Sequence, residues 1–179
     1  MLGRPLEERP DGADDAVEAP PLSLLFTWGD GRRGALGHGS TQNEVSPRLC
    51  ARLVPLRLRT VACGGAHTMV ALADGELCTC GSGASGVLGH GDEKDRLAFE
   101  VVQGLQGTRV AALAAGERHC AAITESGTLF CWGEGTDGQL GLVDDTGAGW
   151  ASTPQRVVEL GADVRAELES ALGGDKAKS

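Results

Sequence analysis

Short stretches in which apolar and polar residues alternate follow one another through residues 25–158, and glycines separate them. The first stretch, Leu-Phe-Thr-Trp-Gly at residues 25–29, ends on glycine as a strand entering a turn does. Further stretches of this kind lie at residues 56–63, 68–72, 110–114 and 120–124. The region contains no apolar pattern typical of a helix of ordinary length. The pattern therefore predicts an all-β chain built from short strands.

These predicted strands belong to a sequence repeat. LFTWGDGRRGALGHG begins at Leu25, LCTCGSGASGVLGHG at Leu77 and LFCWGEGTDGQLGL at Leu129, and each start lies 52 residues after the previous one. The third unit carries three extra residues in a loop before the pattern resumes. Several short strands in each unit of about 50 residues are typical of propeller blades. We expect an incomplete β-propeller of about two and a half four-stranded blades.

The residues that recur in register are expected to be structural, because a catalytic or metal site is built once and a blade contact is built in every unit. Gly29-x-Gly31-x-x-Gly34 fits a dinucleotide fingerprint, but the same spacing recurs in all three units and no helix follows it, which favours turns. The structural repeat positions are Trp28, Gly29, Gly34, Gly37, His38, Gly64, His67, Gly81, Gly86, Gly89, His90, Gly116, His119, Trp132, Gly133, Gly138 and Gly141.

The repeated segments closely resemble the repeats of the regulator of chromosome condensation family. The resemblance rests on Trp28-Gly29, residues 34–39, Pro47 and residues 63–68, and on their counterparts in the later units. It covers about residues 25–164. It implies a β-propeller fold and protein-binding modules, which in this family act in guanine-nucleotide exchange on the Ran GTPase, in chromatin binding, or as domains of larger proteins.

The boundaries of the repeat divide the chain into five segments. Residues 1–24 form an acidic leader that we expect to be disordered, because it carries four prolines and little apolar periodicity. Repeat 1 spans 25–75, repeat 2 spans 76–127, a partial repeat 3 spans 128–164, and a tail spans 165–179. Leu160, Val164, Leu168 and Leu172 fall four residues apart, which predicts a short C-terminal helix that ends at Gly173-Gly174.

Charge narrows the classes of function. Lysine plus arginine is 16 and aspartate plus glutamate is 25, a net charge of −9, which disfavours direct binding to nucleic acid. No apolar run reaches the ~18 residues of a membrane span. The first residues do not resemble a secretory or mitochondrial targeting signal. We therefore expect a cytoplasmic or nuclear protein whose six cysteines are reduced thiols.

The charge is also polarised along the repeats. Residues 25–75 have six basic and three acidic residues, whereas residues 128–158 have one basic and four acidic residues. Surface loops of blades bind partners, and five loop residues are the candidate partner contacts: Arg32, Arg33, Asp144, Asp145 and Trp150. For Trp150 two interpretations remain open, contact with a basic partner or packing back over exposed core.

Cys78 and Cys80 stand where the other units have Phe and Trp, which indicates that they replace core aromatic residues. The spacing of these cysteines is not that of a zinc site, and no arrangement of a nucleophile, a base and an acid appears. We therefore expect no catalytic residues, cofactor or metal.

The leading hypothesis is a protein-protein interaction module with a regulatory or scaffolding role, whose partner is a small GTPase or a chromatin protein. One alternative is a guanine-nucleotide exchange factor for a Ran-like small GTPase, and another is a truncated product of a longer propeller protein. The two ends of an open array would expose apolar blade surface, which favours self-association or docking onto a larger partner. We therefore expect either an oligomer or a marginally stable monomer that tends to associate.

Overall fold

A computed structural model of the chain describes residues 23–142 and 149–157. The strands of this region form three antiparallel sheets. Four 3-10 turns connect some of them, each three residues long. The strands are β1 (Phe26–Gly29), β2 (Glu44–Leu49), β3 (Leu58–Cys63), β4 (His67–Leu72), β5 (Leu77–Gly81), β6 (Arg96–Val101), β7 (Val110–Ala115), β8 (His119–Thr124), β9 (Leu129–Glu134) and β10 (Trp150–Arg156).

The sheets are one half-blade and two complete blades. Strands β1 and β2 pair with each other, β3 to β6 form a four-stranded middle blade, and β7 to β10 form a four-stranded last blade. Each complete blade takes its first two strands from one sequence repeat and its last two from the next. The half-blade therefore corresponds to the second half of a blade. The prediction of an all-β, incomplete propeller with four-stranded antiparallel blades is confirmed.

The core lies between consecutive blades. One buried cluster joins the half-blade to the middle blade: Cys50, Leu53, Val70, Leu72, Cys78, Cys80 and Phe99. A second cluster joins the middle blade to the last: Met69, Ala71, Leu77, Val87, Leu88, Val102, Leu105, Val110, Cys120, Ala122 and Trp132. Because a blade buries its apolar faces only against its neighbours, the order of the repeats determines which residues are in the core.

The interpretation of Phe26 and Trp28 as core aromatics is wrong. Trp28 is 58 % exposed and Phe26 is 44 % exposed, although Trp132, the counterpart of Trp28, is fully buried. Both side chains belong to the half-blade, on a face that no preceding blade covers among the described residues. The interpretation holds for Cys78 and Cys80, which are buried between two blades.

Several predictions from the sequence fall outside the described residues. They are residues 1–22 of the acidic leader, Asp144, Asp145, and the C-terminal helix and tail from residue 158 onward. None of the helical turns in the described part of the chain is long and apolar enough to cross a membrane.

Candidate functional site

Three clefts open along one rim of the array, where loops from successive blades meet. The first, of about 280 Å³, is lined by Asp30, Arg32, Arg33, Ala35, Gly65 and Ala66. The second, of about 380 Å³, is lined by Arg33, Gly65, Ala66, His67, Ser82, Ala84, Val87, Glu117 and Arg118. The last, of about 300 Å³, is lined by Glu117, Arg118, His119, Glu134, Asp137 and Gln139.

Backbone hydrogen bonds shape these clefts. The amide of Ser82 donates to the carbonyl of Ala66 at 2.9 Å, and the amide of Glu134 donates to the carbonyl of Arg118 at 2.8 Å. In each complete blade the bond ties the hairpin turn between its first two strands to the end of its third strand. The loop side chains are therefore presented from a scaffold of paired strands rather than from free loops.

Arg32 and Arg33 lie at the tip of the turn that lines the first cleft. The Arg32 guanidinium donates to Asp30, and this hydrogen bond holds the pKa of the Asp30 carboxyl below its ordinary value. Arg33 adopts a φ of 60° and its Nη1 lies 3.2 Å from Oδ2 of Asp95 on the middle blade. Both arginine side chains are mostly exposed. Ser85, the counterpart of Arg33, has a φ of 57°, so this conformation belongs to the repeated turn.

The last cleft is the acidic one. Glu117, Glu134 and Asp137 line it together with a single arginine, Arg118. Nη1 of Arg118 lies 3.8 Å from Oε2 of Glu134, and the Arg118 side chain is 59 % exposed. An exposed pair at that distance contributes little to stability, so both groups remain able to bind a partner.

Trp150 is paired in the sheet with a residue that lines this acidic cleft. It is the residue of β10 directly opposite Glu134 of β9. Directly opposite side chains in antiparallel strands lie about 5 Å apart on the same face of the sheet. Trp150 is 51 % exposed, so its ring does not fold back fully over the core. The register therefore gives an accessible tryptophan and an acidic residue directly opposite positions on two paired strands.

Two of the repeated histidines, His38 and His90, each lie within hydrogen-bond distance of a threonine in the same sequence unit. Nε2 of His38 lies 3.0 Å from Oγ1 of Thr27, and Nε2 of His90 lies 2.9 Å from Oγ1 of Thr79. The threonine hydroxyls lie within hydrogen-bond distance of the Leu36 and Leu88 carbonyl oxygens, so each cluster connects a strand to the loop beyond it. Burial lowers the pKa of His90.

His67 spans the interface between the middle and last blades. It is 2 % exposed, and its Nε2 lies 3.1 Å from Sγ of Cys120. Burial lowers the pKa of His67 to about 4, with a smaller contribution from His119, so the ring is neutral at physiological pH. Burial also raises the pKa of the Cys120 thiol. A neutral ring and a protonated thiol form a contact between blades, without the ion pair that a thiolate nucleophile would need.

The other cysteines are free thiols as well, and five of the six are buried. Burial raises the pKa of Cys78 to about 11 and shifts that of Cys80 in the same direction. Within residues 23–142 and 149–157, no group of three or more histidine, cysteine or acidic side chains is placed to hold a metal ion.

The structure does not bring the predicted contact residues into one site. Arg32 and Arg33 lie at the half-blade, and Trp150 lies at the opposite end of the described array. The predicted contact residues did not include Glu117, Arg118, Glu134 and Asp137. Glu134 and Asp137 lie in the glycine-rich segment of the third unit, and the charge difference between the units points to them.

Comparison with known proteins identifies the repeats. Residues 24–71, 74–123 and 126–167 match the family described as Regulator of chromosome condensation (RCC1) repeat. The chain is 36 % identical over 153 residues to the ultraviolet-B receptor UVR8 of Arabidopsis thaliana, covering 85 % of this chain and 34 % of the receptor. It is 38 % identical over 147 residues to the human E3 ubiquitin-protein ligase HERC2, covering 81 % of this chain and 3 % of the ligase.

Solved structures show the same fold. Prp20p from Saccharomyces cerevisiae, whose structure was reported with its binding to Gsp1p and histones, has a TM-score of 0.68 at 20 % identity, covering 78 % of this chain and 35 % of Prp20p. Human WBSCR16 has a TM-score of 0.63 at 22 % identity, covering 74 % of this chain and 33 % of that protein. The chain thus spans about a third of these structures and of the plant receptor.

Proposed function

Since this chain belongs to the family of Regulator of chromosome condensation (RCC1) repeat proteins, we propose that it is a protein-interaction module that binds a basic segment of a protein partner at the last cleft. The observation that carries the proposal is the pairing of Trp150 with Glu134 at the edge of that cleft. A lysine or arginine of the partner would stack on the indole and pair with the carboxylate.

The chemistry of the cleft supports this partner class. Cation–π contact with an exposed tryptophan contributes about 0.5–1 kcal/mol, and the adjacent carboxylate adds a charge-assisted hydrogen bond. Glu117 and Asp137 line the same cleft and add negative potential. The net charge of −9 attracts a basic partner over a longer range and repels nucleic acid.

One structural neighbour supports a basic protein as the partner. Prp20p, which shares this fold, was characterised for its binding to Gsp1p and to histones. Histones carry long lysine- and arginine-rich segments, so they have the chemistry that the last cleft would recognise. The proposal therefore takes a chromatin protein over a small GTPase as the partner, and a nuclear location over a cytoplasmic one.

Titration of the full chain with purified core histones tests the proposal. The variants W150A and E134Q should each weaken binding about two- to fivefold, the equivalent of 0.5–1 kcal/mol. Affinity should also fall as salt concentration rises, because the contacts are exposed charges. W28A is the matched control, since Trp28 is a similarly exposed tryptophan that lies outside the last cleft.

Two outcomes would contradict the proposal. One is that the chain does not bind core histones at low salt. The other is that W150A and E134Q bind as tightly as the unsubstituted chain while W28A does not, because the contact surface would then lie on the half-blade.

A further inference from the structure

The two contacts between consecutive blades are built in the same way. An added Cβ at Gly34 of the half-blade would lie 2.4 Å from Cα of Leu97 on β6. An added Cβ at Gly86 of the middle blade would lie 2.4 Å from Cα of Ser152 on β10. In both cases the fourth strand of the following blade packs directly on the glycine, with no space for a side chain.

A second glycine and a backbone hydrogen bond complete each contact. Gly37 lies beneath the Phe99 ring, and Gly89 lies beneath Pro154 and Trp132. The amide of Gly39 donates to the carbonyl of Leu97 at 2.8 Å, and the amide of Gly91 donates to that of Ser152 at 2.9 Å. Residues 97 and 152 are counterparts in the repeat, and so are Phe99 and Pro154, so one set of positions forms both contacts.

The third strand of the following blade also lies within hydrogen-bond distance of carbonyl groups of the preceding blade. Nε1 of Trp132 donates to the carbonyl of Val87 at 2.8 Å, and Sγ of Cys80 lies 3.6 Å from the carbonyl of Ala35. Ala35 and Val87 occupy the same position in successive units. The equivalent position in the third unit is Gln139.

On the last blade, no further blade covers this glycine surface within residues 23–142 and 149–157. An added Cβ at Gly138, the counterpart of Gly34 and Gly86, would meet no described atom within 4 Å. At Gly141, the counterpart of Gly37 and Gly89, it would meet only Cγ1 of Val157, at 3.8 Å. We call Gly138, Gln139 and Gly141 the C-terminal face. Among the described residues, no strand of another blade packs on its two glycines.

The half-blade presents the complementary residues, also uncovered. Val45 is the counterpart of Leu97 and is fully exposed. Pro47 is the counterpart of Phe99 and is exposed, and Trp28 is the counterpart of Trp132 and is 58 % exposed. We call Trp28, Val45 and Pro47 the N-terminal face. Exposed Phe26, on the same strand as Trp28, extends the apolar patch. One chain thus carries both halves of a contact that it makes twice internally.

Charge favours a second copy of the chain as the occupant. The half-blade belongs to a region, residues 25–75, with a net charge of 6 − 3 = +3, and the last blade ends in a region, residues 128–158, with a net charge of 1 − 4 = −3. Head-to-tail docking brings these two regions together, whereas head-to-head docking would bring like charges together.

We infer that the N-terminal face of one copy docks on the C-terminal face of another, in the geometry that joins the middle and last blades. The Trp28 indole then donates to the Gln139 carbonyl, Val45 packs on Gly138 and Pro47 packs on Gly141. The contact is heterologous, so each docked pair leaves one face of each kind free for further copies.

The docking contact rests on the proposed function, because it treats the N-terminal and C-terminal faces as protein-binding surfaces of an interaction module. Docking takes place at the edge of the last cleft, because Gln139 both lines that cleft and belongs to the C-terminal face. The corresponding cleft between the middle and last blades stays open although the following blade is in place.

Two variants block one face each. W28R places a charge on the N-terminal face. G138N adds a side chain to the C-terminal face, and asparagine tolerates the φ of +78° found there. Neither position is buried in the chain's own core, so both variants should keep the circular dichroism spectrum of the parent. V45D is a second variant for the N-terminal face, at a fully exposed position.

Light scattering over a series of protein concentrations gives the readout. The unsubstituted chain should gain mass with concentration, and W28R and G138N should each remain at the monomer mass. A 1:1 mixture of W28R and G138N should reach the mass of two chains and go no further, because only one functional pair of faces exists in the mixture.

Three results would overturn the inference. They are an unsubstituted chain that stays monomeric, self-association that survives both W28R and G138N, and a mixture of the two variants that stays monomeric although each alone has lost association. Histone binding by W28R separates the two proposals: a monomeric W28R that still binds core histones leaves the proposed function standing whether or not the docking contact exists.

Discussion

Trp132 is the largest fully buried side chain in the described structure, and its removal should weaken the contact between the middle and last blades. Its ring belongs to the core cluster shared by these two blades. Its indole Nε1 donates to the carbonyl of Val87, 2.8 Å away across the interface. Substitution therefore perturbs both an apolar contact and a buried hydrogen bond.

The structure sets the size of the effect. W132A creates a cavity and should cost about 3–5 kcal/mol of unfolding free energy. W132F keeps most of the ring contact and removes the donor. Sγ of Cys120 lies 3.3 Å from the Val87 carbonyl, so that oxygen keeps one donor and the cost should be about 1 kcal/mol. W132F therefore remains measurable if W132A does not fold.

Urea unfolding followed by far-UV circular dichroism measures both values. With a slope of about 2 kcal/mol/M, W132A should lower the urea midpoint by about 1.5–2.5 M and W132F by about 0.5 M. W28A and W150A are matched controls at exposed positions and should change the unfolding free energy by less than about 0.5 kcal/mol. Low protein concentration keeps self-association from contributing to the apparent stability. Equal losses for W132A and W150A would refute the assignment of Trp132 to the interface.

Three further predictions concern the rest of the chain. Burial holds the pKa of His67 at about 4 in the folded chain, below the ordinary 6.5, so the unfolded chain binds more protons between these two pH values. The unfolding free energy should therefore be highest above about pH 6.5 and fall by about 3 kcal/mol as the pH drops toward 4. Urea titrations at several pH values should show this fall, and a shallower one in H67Q. Cys63 is the one exposed cysteine of the six, so a thiol reagent should label one group quickly in the native chain and the other five only on unfolding; several fast thiols would contradict the burial of Cys50, Cys78, Cys80, Cys120 and Cys131. The purified chain should not accelerate release of a fluorescent guanine nucleotide from a Ran-type GTPase, because the described array offers only a half-blade and two blades to bind the nucleotide-free state selectively. Acceleration at catalytic amounts would favour the exchange-factor alternative.

The repeat in the sequence predicted most of the fold. Alternation of apolar residues and the spacing of glycines located the strands, because a strand and its turn are specified by residues close together in the chain. The recurrence of Gly64 and His67 predicts that both residues are structural.

The sequence repeat could not predict which side chains are buried at the ends of the described array. Trp28 and Trp132 occupy equivalent positions in the sequence, yet only Trp132 has a preceding blade to pack against. Recurrence assigns the same environment to both residues, whereas the environment is set by the neighbouring blade.

The set of residues that line the last cleft also could not be predicted from the sequence. Glu117 and Glu134 are 17 positions apart and meet because the turn between β7 and β8 is tied to the end of β9. Trp150 follows a loop that breaks the 52-residue register, so its pairing with Glu134 required the strand alignment of the folded chain.

The three tryptophans offer the most direct test of where the chain binds its partner. Nitrogen-15 labelled protein should give three indole N–H signals, which W28A, W132F and W150A assign one by one. On titration with a lysine- and arginine-rich histone-tail peptide, at a protein concentration low enough to keep the chain monomeric, the Trp150 signal should shift. The buried Trp132 signal and the Trp28 signal on the half-blade should stay in place. A shift of the Trp28 signal with the Trp150 signal unmoved would contradict the proposed binding at the last cleft.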